Sequence, residues 1–204
     1  MNNADKGRQL SFKAAEAYKL LRSNLEYSLR DSRGCRVVGV TGARRQEGRT
    51  TTAVNLADAL AQDGKKVLLV DADLRRSSAA NRVGIAPDKG LAEILSGSAS
   101  PREAVTEAGG FSLIAGGVRP DNPSELLGSD AMGRLMADLR QEYDYILLDL
   151  PPVTAVSDAL CAARHADGML LVVRRGHTCR RELDQALGAL RGQHVNVLGF
   201  VLND

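Results

Sequence analysis

The strongest constraint on the fold of this chain is a set of apolar runs that do not alternate with polar residues. Arg36–Thr41 (RVVGVT), Lys66–Asp71 (KVLLVD), Tyr145–Asp149 (YILLD), Gly168–Arg174 (GMLLVVR) and Val197–Asn203 (VLGFVLN) read as strands, with Phe111–Ala115 (FSLIA) a weaker sixth. A sheet with one wet face shows apolar and polar residues in turn, whereas continuous runs belong to strands covered on both faces, as in a parallel sheet. Parallel neighbours need long crossovers, and the intervening segments supply them. Thr51–Gln62, Ser129–Glu142, Ser157–Arg164 and Arg181–Arg191 carry helical patterns, and Gly64 stops the first of them. Phe12–Leu29 predicts an opening helix with Ala14, Tyr18, Leu21, Leu25 and Leu29 on one face. Gly116–Pro123 (GGVRPDNP) predicts a surface loop. The expected fold is α/β: a doubly wound, mostly parallel sheet flanked by helices. No repeat or low-complexity tract divides the 204 residues, so residues 1–204 are expected to form one domain.

Composition removes several function classes. With 27 basic and 25 acidic side chains the net charge is +2, which argues against a nucleic-acid protein or an acidic tail. No apolar run reaches the roughly 18–20 residues that span a bilayer, and MNNADKGRQL lacks the apolar centre of a signal peptide. A cytoplasmic location follows, with any membrane link made through a partner. Cys35, Cys161 and Cys179 form no CxxC pair, so neither a zinc site nor a redox motif is expected. His165, His177 and His194 form no HExxH pattern, and no GxSxG elbow is present.

The chemistry lies at the strand ends, where ligands of open α/β sheets bind. The first strand runs into Gly42-Ala43-Arg44-Arg45-Gln46-Glu47-Gly48-Arg49-Thr50-Thr51 and then a helix. Ala43 to Gly48 has the spacing A-x-x-x-x-G of a phosphate-binding loop. Such a loop points backbone N–H groups at phosphate oxygens, a lysine at the β/γ phosphates and a hydroxyl at magnesium. Here Arg49 stands at the lysine position and Thr50 at the magnesium position. The second strand ends in VLLVDADLRR, where Asp71 and Asp73 are two residues apart. Two carboxylates there suit magnesium, or a base for an attacking hydroxyl; a helix-capping Asp is the plainer reading. Asp149 follows four apolar residues in YILLD, the placing of a second magnesium carboxylate.

Five blocks carry a resemblance. EAYKLLRSNLEYS with Glu16, Lys19 and Arg22, VLLVDADLRR, PDNPSELLGS with YDYILLDLPPVTAVSDA, and VLGFVLN occur in that order along nearly the whole chain. In them the chain resembles the bacterial tyrosine kinases of the CpsD/CapB type, in the MinD/ParA-like branch of P-loop proteins. The resemblance implies that ATP or ADP binds with Mg2+ and that the γ-phosphoryl passes to a tyrosine hydroxyl, in the control of capsular or exopolysaccharide export. It implies a nucleotide site at Arg45, Gln46, Glu47, Gly48, Arg49, Thr50, Thr51 and Asn203, the last toward adenine. Asp71, Asp73 and Arg49 would be catalytic, and Thr50, Asp71 and Asp149 would hold the metal. It also implies a membrane activator chain as partner, and a homo-oligomer built through Glu16, Lys19 and Arg22.

Three features depart from the family: Arg49 for lysine, Gln46 where glycine is usual, and no tyrosine cluster near Asp204. Tyr18, Tyr27, Tyr143 and Tyr145 are scattered. Two other readings remain open: a non-catalytic nucleotide-binding scaffold of polysaccharide assembly, and a ParA-like ATPase with a DNA patch at Arg174, Arg175, Arg180 and Arg181. The near-neutral charge disfavours the second, and no nucleic acid is expected as a partner.

Overall fold

The computed structural model describes residues 10–204; residues 1–9, most of the MNNADKGRQL start, lie outside the described residues. In chain order the elements are α1 (Phe12–Ser28), β1 (Arg36–Gly42), α2 (Arg49–Ala61), β2 (Val67–Asp71), α3 (Ala79–Val83), α4 (Leu91–Leu95), α5 (Pro101–Ala104), β3 (Val105–Glu107), β4 (Ser112–Ile114), α6 (Pro123–Leu127), α7 (Asp130–Leu139), β5 (Tyr145–Asp149), α8 (Asp158–Ala163), β6 (Gly168–Arg174), α9 (Arg180–Gly192) and β7 (Val197–Asn203). The strands form one sheet in the order β3-β4-β2-β5-β1-β6-β7. Every pairing is parallel except β3 with β4.

Except for Val197–Asn203, the continuous apolar runs are buried on both faces, as their pattern predicts. Side chains alternate between two cores. Val37, Leu68, Val70, Ile146, Leu148 and Leu171 join one, which α7, α8 and α9 cover. Val38, Val40, Leu69, Leu147 and Val172 join the other, which α1 and α2 cover. In α1, Leu25 and the adjoining Leu29 are buried and Tyr18 and Leu21 pack partly against the second core, the expected apolar stripe. α2 stops where Gly64 takes a φ of +78°, and its N–H closes on the Ala61 carbonyl.

Several features differ from the sequence expectation. α2 starts at Arg49, two residues before the predicted start, so Arg49 and Thr50 sit in its first turn. Four short helices, α3 to α6, and the antiparallel strand β3 were not expected. At four or five residues these helices barely complete one turn, too little for helical periodicity to show in sequence. Pro123, expected in a loop, is buried at the start of α6, where its missing N–H removes no hydrogen bond. β7 is an edge strand and is not covered on both faces; Phe200 and Leu202 are 51% and 65% exposed.

Candidate functional site

β1 is central, and its neighbours β5 and β6 both come much later in the chain. The crevice at this switch point receives the loop Ala43–Gly48 and the N-terminus of α2. The first N–H groups of α2 have no partner inside the helix and point out of its positive end. Gly48 caps α2 with φ +89°, and the Asn203 side-chain amide occupies the space a Cβ there would need. Gln46 also has a positive φ, +63°, the left-handed region in which a side chain costs about 1–2 kcal/mol.

Glu47 braces the loop from beneath. Its side chain is fully buried, accepting from the Arg44 N–H at 3.0 Å and the Thr178 hydroxyl at 2.6 Å. Its carboxylate lies against Gly42, leaving no room for a Cβ. Thr154 adds a hydrogen bond to the Ala43 carbonyl. Asn203 donates its amide to the Glu47 carbonyl at 2.9 Å and lies within 3.4 Å of the Thr52 hydroxyl. Asn203 also lines a groove of about 530 Å³, with Tyr18, Leu21, Thr51 and Asn55.

Arg49 folds back on its own loop. It donates to the Arg44 carbonyl at 2.7 Å and pairs with Asp73 at 3.7 Å, both side chains being nearly buried. Its Nε is buried with no partner, and burial holds its pKa below the usual arginine value. With Arg45, Gly48, Thr50, Asp73, Arg76 and Ser78 it lines a cavity of about 310 Å³ above the loop.

Asp71 and Asp149 are register partners on adjacent strands, so their backbones are about 4.8 Å apart. Both are buried, but they differ in hydrogen bonding. Asp71 Oδ2 accepts from the Ser77 hydroxyl and the N–H groups of Ser78 and Ala79, at 2.8–2.9 Å. Asp71 thus caps α3 and orders the turn, the plainer role of an aspartate at a strand end. Asp149 lies beside Thr50, but its Oδ2 is buried without a partner. Burial and the Asp71 charge push its pKa far above the carboxylate range. Thr50 Oγ1 is also 3.0 Å from Ser78 Oγ. Among the described residues no three His, Cys, Asp or Glu side chains cluster as a metal site. Two carboxylates and a hydroxyl beside a phosphate cavity nevertheless fit Mg2+, which takes one or two carboxylates and completes its shell with phosphate and water. A cation there would partner the orphaned Asp149 oxygen.

Sequence reasoning missed the pair that holds the two acidic loops together. Asp158, fully buried at the start of α8, takes a two-pronged hydrogen bond from Arg75 at 2.7 and 3.1 Å. Both residues lie in the quoted blocks VLLVDADLRR and YDYILLDLPPVTAVSDA, which was the available signal.

Of the three opening-helix residues, Glu16 and Lys19 form an exposed pair at 2.7 Å. Arg22 does not share that free edge. It turns inward, donating to the Ala59 carbonyl at 2.9 Å and pairing with Asp63 at 3.3 Å. At 100° per residue, a step of six carries Arg22 around the helix to the side of α2.

A parallel α/β sheet with this loop at its switch point defines a P-loop protein, and comparison with known proteins narrows the class. The family model described as "AAA domain" matches residues 36–187. Tyrosine-protein kinase YwqD of Bacillus subtilis is 36% identical over 191 residues, 93% of this chain and 80% of that protein. Tyrosine-protein kinase ptk of Acinetobacter johnsonii is 33% identical over 193 residues, 94% of this chain but 26% of that protein. The solved kinase domain of Escherichia coli tyrosine kinase ETK superposes with a TM-score of 0.90 at 35% identity, covering 93% of this chain and 75% of that one. The chain belongs to the AAA-domain family and, within it, to the family of bacterial tyrosine-protein kinases. It spans about a quarter of the length of the first curated relatives it matches. No helix among the described residues is long and apolar enough to cross a membrane.

Proposed function

We propose that residues 1–204 form one P-loop domain that transfers the γ-phosphoryl of Mg-ATP to a protein tyrosine, in a system that builds or exports capsular or exopolysaccharide. The observation that carries this is the partnerless buried oxygen of Asp149 beside Thr50, a residue that itself lines the arginine-rich cavity. Backbone N–H groups of Arg45 to Thr51 cradle the phosphates, and Thr50 and Asp149 hold Mg2+ with Asp71 behind them. Mg2+, when bound, neutralises charge on the phosphate oxygens. Asp73, which faces the cavity, takes the phenolic proton, while Asp71 orders its turn. Arg49 must exchange Asp73 and the Arg44 carbonyl for phosphate. Asn203 borders the groove of about 530 Å³, which would take the adenine.

The kinase acts at the inner face of the cell membrane, recruited by a membrane activator chain. Self-association uses the exposed Glu16–Lys19 edge of α1. The second reading, a nucleotide-binding scaffold without turnover, draws on one observation: Arg49 is already tied to Asp73 and Arg44. The test is phosphotransfer from labelled ATP to a tyrosine polymer, with the activator present. The kinase reading expects transfer that requires Mg2+ and is lost in Asp73→Asn and Asp149→Asn. Binding of Mg-ADP without transfer by the wild type selects the scaffold, and no nucleotide binding at millimolar concentration ends both readings.

A further inference from the structure

Arg49 is the arginine at the expected catalytic position, and its guanidinium is already engaged. Arg75, two residues beyond Asp73, is engaged as well, with Asp158 on α8. The next residue, Arg76, is different. Its backbone is fixed, because its N–H donates to the Asp73 carbonyl at 2.9 Å and to Asp73 Oδ1 at 3.2 Å. The turn that carries it is pinned by Asp71 on Ser77, Ser78 and Ala79, and by Ser77 on the Gly116 N–H at 3.1 Å. Its side chain is exposed, lines the cavity of about 310 Å³, and makes no ion pair or side-chain hydrogen bond among the described residues. A rooted backbone with an uncommitted guanidinium at the cavity rim can meet a ligand without first breaking a contact.

Arg45 also lines this cavity without a side-chain partner, but it belongs to the phosphate loop itself and equally borders the hollow behind that loop, beside His177. Arg76 comes from the turn after β2, which also brings Asp73 and Ser78 to the cavity. Phosphates lying on the loop would present their outer oxygens to that turn.

We infer that Arg76 is a catalytic residue that binds the equatorial oxygens of the γ-phosphoryl group during transfer, taking the charge-stabilising role that the engaged Arg49 fills poorly. This rests on the kinase reading. In the step, the tyrosine oxygen forms a bond to the γ-phosphorus, and the bond from that phosphorus to the β,γ-bridging oxygen breaks. The electron pair leaves with ADP, and the phenolic proton passes to the Asp73 carboxylate. No bond to Arg76 forms or breaks; its planar fork suits two oxygens of one phosphoryl group.

The experiment compares wild type, Arg76→Ala, Arg76→Lys and Arg75→Ala, with the activator present. Removal of a transition-state donor of this kind lowers turnover by about 10²–10³-fold. Arg76→Ala should therefore lose that much kcat, with Mg-ADP affinity and acceptor KM within about 3-fold and the melting temperature unchanged. Arg76→Lys should recover part of the rate. Wild type should bind Mg-ADP with aluminium fluoride, a mimic of the transferring group, at least 10-fold tighter than Mg-ADP alone, and Arg76→Ala should lose that gain. Arg75→Ala should mainly lower the melting temperature. An Arg76→Ala variant with wild-type kcat, or one that only raises acceptor KM, overturns the assignment while leaving the kinase reading intact. A wild type that binds Mg-ADP, gains nothing from aluminium fluoride and transfers no phosphate overturns both.

Discussion

Arg49 separates this chain from the common P-loop design more than any other residue. A lysine is a compact point charge, whereas arginine carries a wide planar fork that does not take the same pose. Here the fork is occupied by Asp73 and the Arg44 carbonyl. Arg49→Lys should free Asp73 and raise turnover by tenfold or more, about 1.4 kcal/mol of barrier, in steady-state phosphotransfer. A fall in turnover would mean that the loop has adapted to arginine. The cysteines offer a check on burial. Burial pushes the Cys35 thiol up from 9.0 to about 11, while Cys179 is exposed. Only the thiolate alkylates, and raising the Cys35 thiol from 9.0 to about 11 lowers its thiolate fraction about 100-fold below pH 9. Iodoacetamide at pH 8 should therefore label Cys179 first and Cys35 last, read by mass spectrometry as a difference of at least about 100-fold. Because the folded value is the raised one, Cys35 favours the folded state least at high pH, and its contribution is lost as pH rises from 9 to 11.

At the scale of elements, α1 is joined to the sheet by its apolar stripe and by Arg22. Arg22→Ala removes the bond to the Ala59 carbonyl and the ion pair to Asp63, and should lower stability by about 1–2 kcal/mol. Hydrogen exchange across α1 should speed up even in a monomer. If exchange is unchanged while self-association alone weakens, the inward placement of Arg22 is wrong. The Arg75–Asp158 bond joins the turn after β2 to α8 in the same way. Arg75→Ala strands a buried carboxylate, and should lower stability by about 2 kcal/mol, or roughly 4–8 °C of melting temperature. The longer helices were foreseen because two or more turns display a periodic face. α3 and α4 were not, because five residues hold no period and their burial against neighbouring elements decides that they form.

Across the whole molecule, the site joins residues that lie far apart in the chain. Asp149 is 99 residues beyond Thr50, yet both reach the same crevice because β5 pairs with β1 and β2. Asp149→Asn replaces a buried carboxylate lacking a partner on one oxygen, so the metal-free protein should melt a few degrees higher. The same variant should lose the stabilisation that Mg-ADP confers on wild type, measured by thermal shift with and without nucleotide.

The sequence by itself determined the parallel sheet, the loop at the end of β1 and the aspartates at the ends of β2 and β5. Apolar runs and strand-end residues are local signals, written in consecutive positions. Only the tertiary structure decided that Asp71 caps a turn while Asp149 keeps a free oxygen. It alone decided that Arg22 and Arg49 turn inward, that Glu47 braces the loop, and that Arg76 is left uncommitted. Those outcomes depend on which donors and acceptors the packed strands and helices bring within hydrogen-bond reach. That is a property of pairings across the sheet, and no residue's neighbours in the chain encode it.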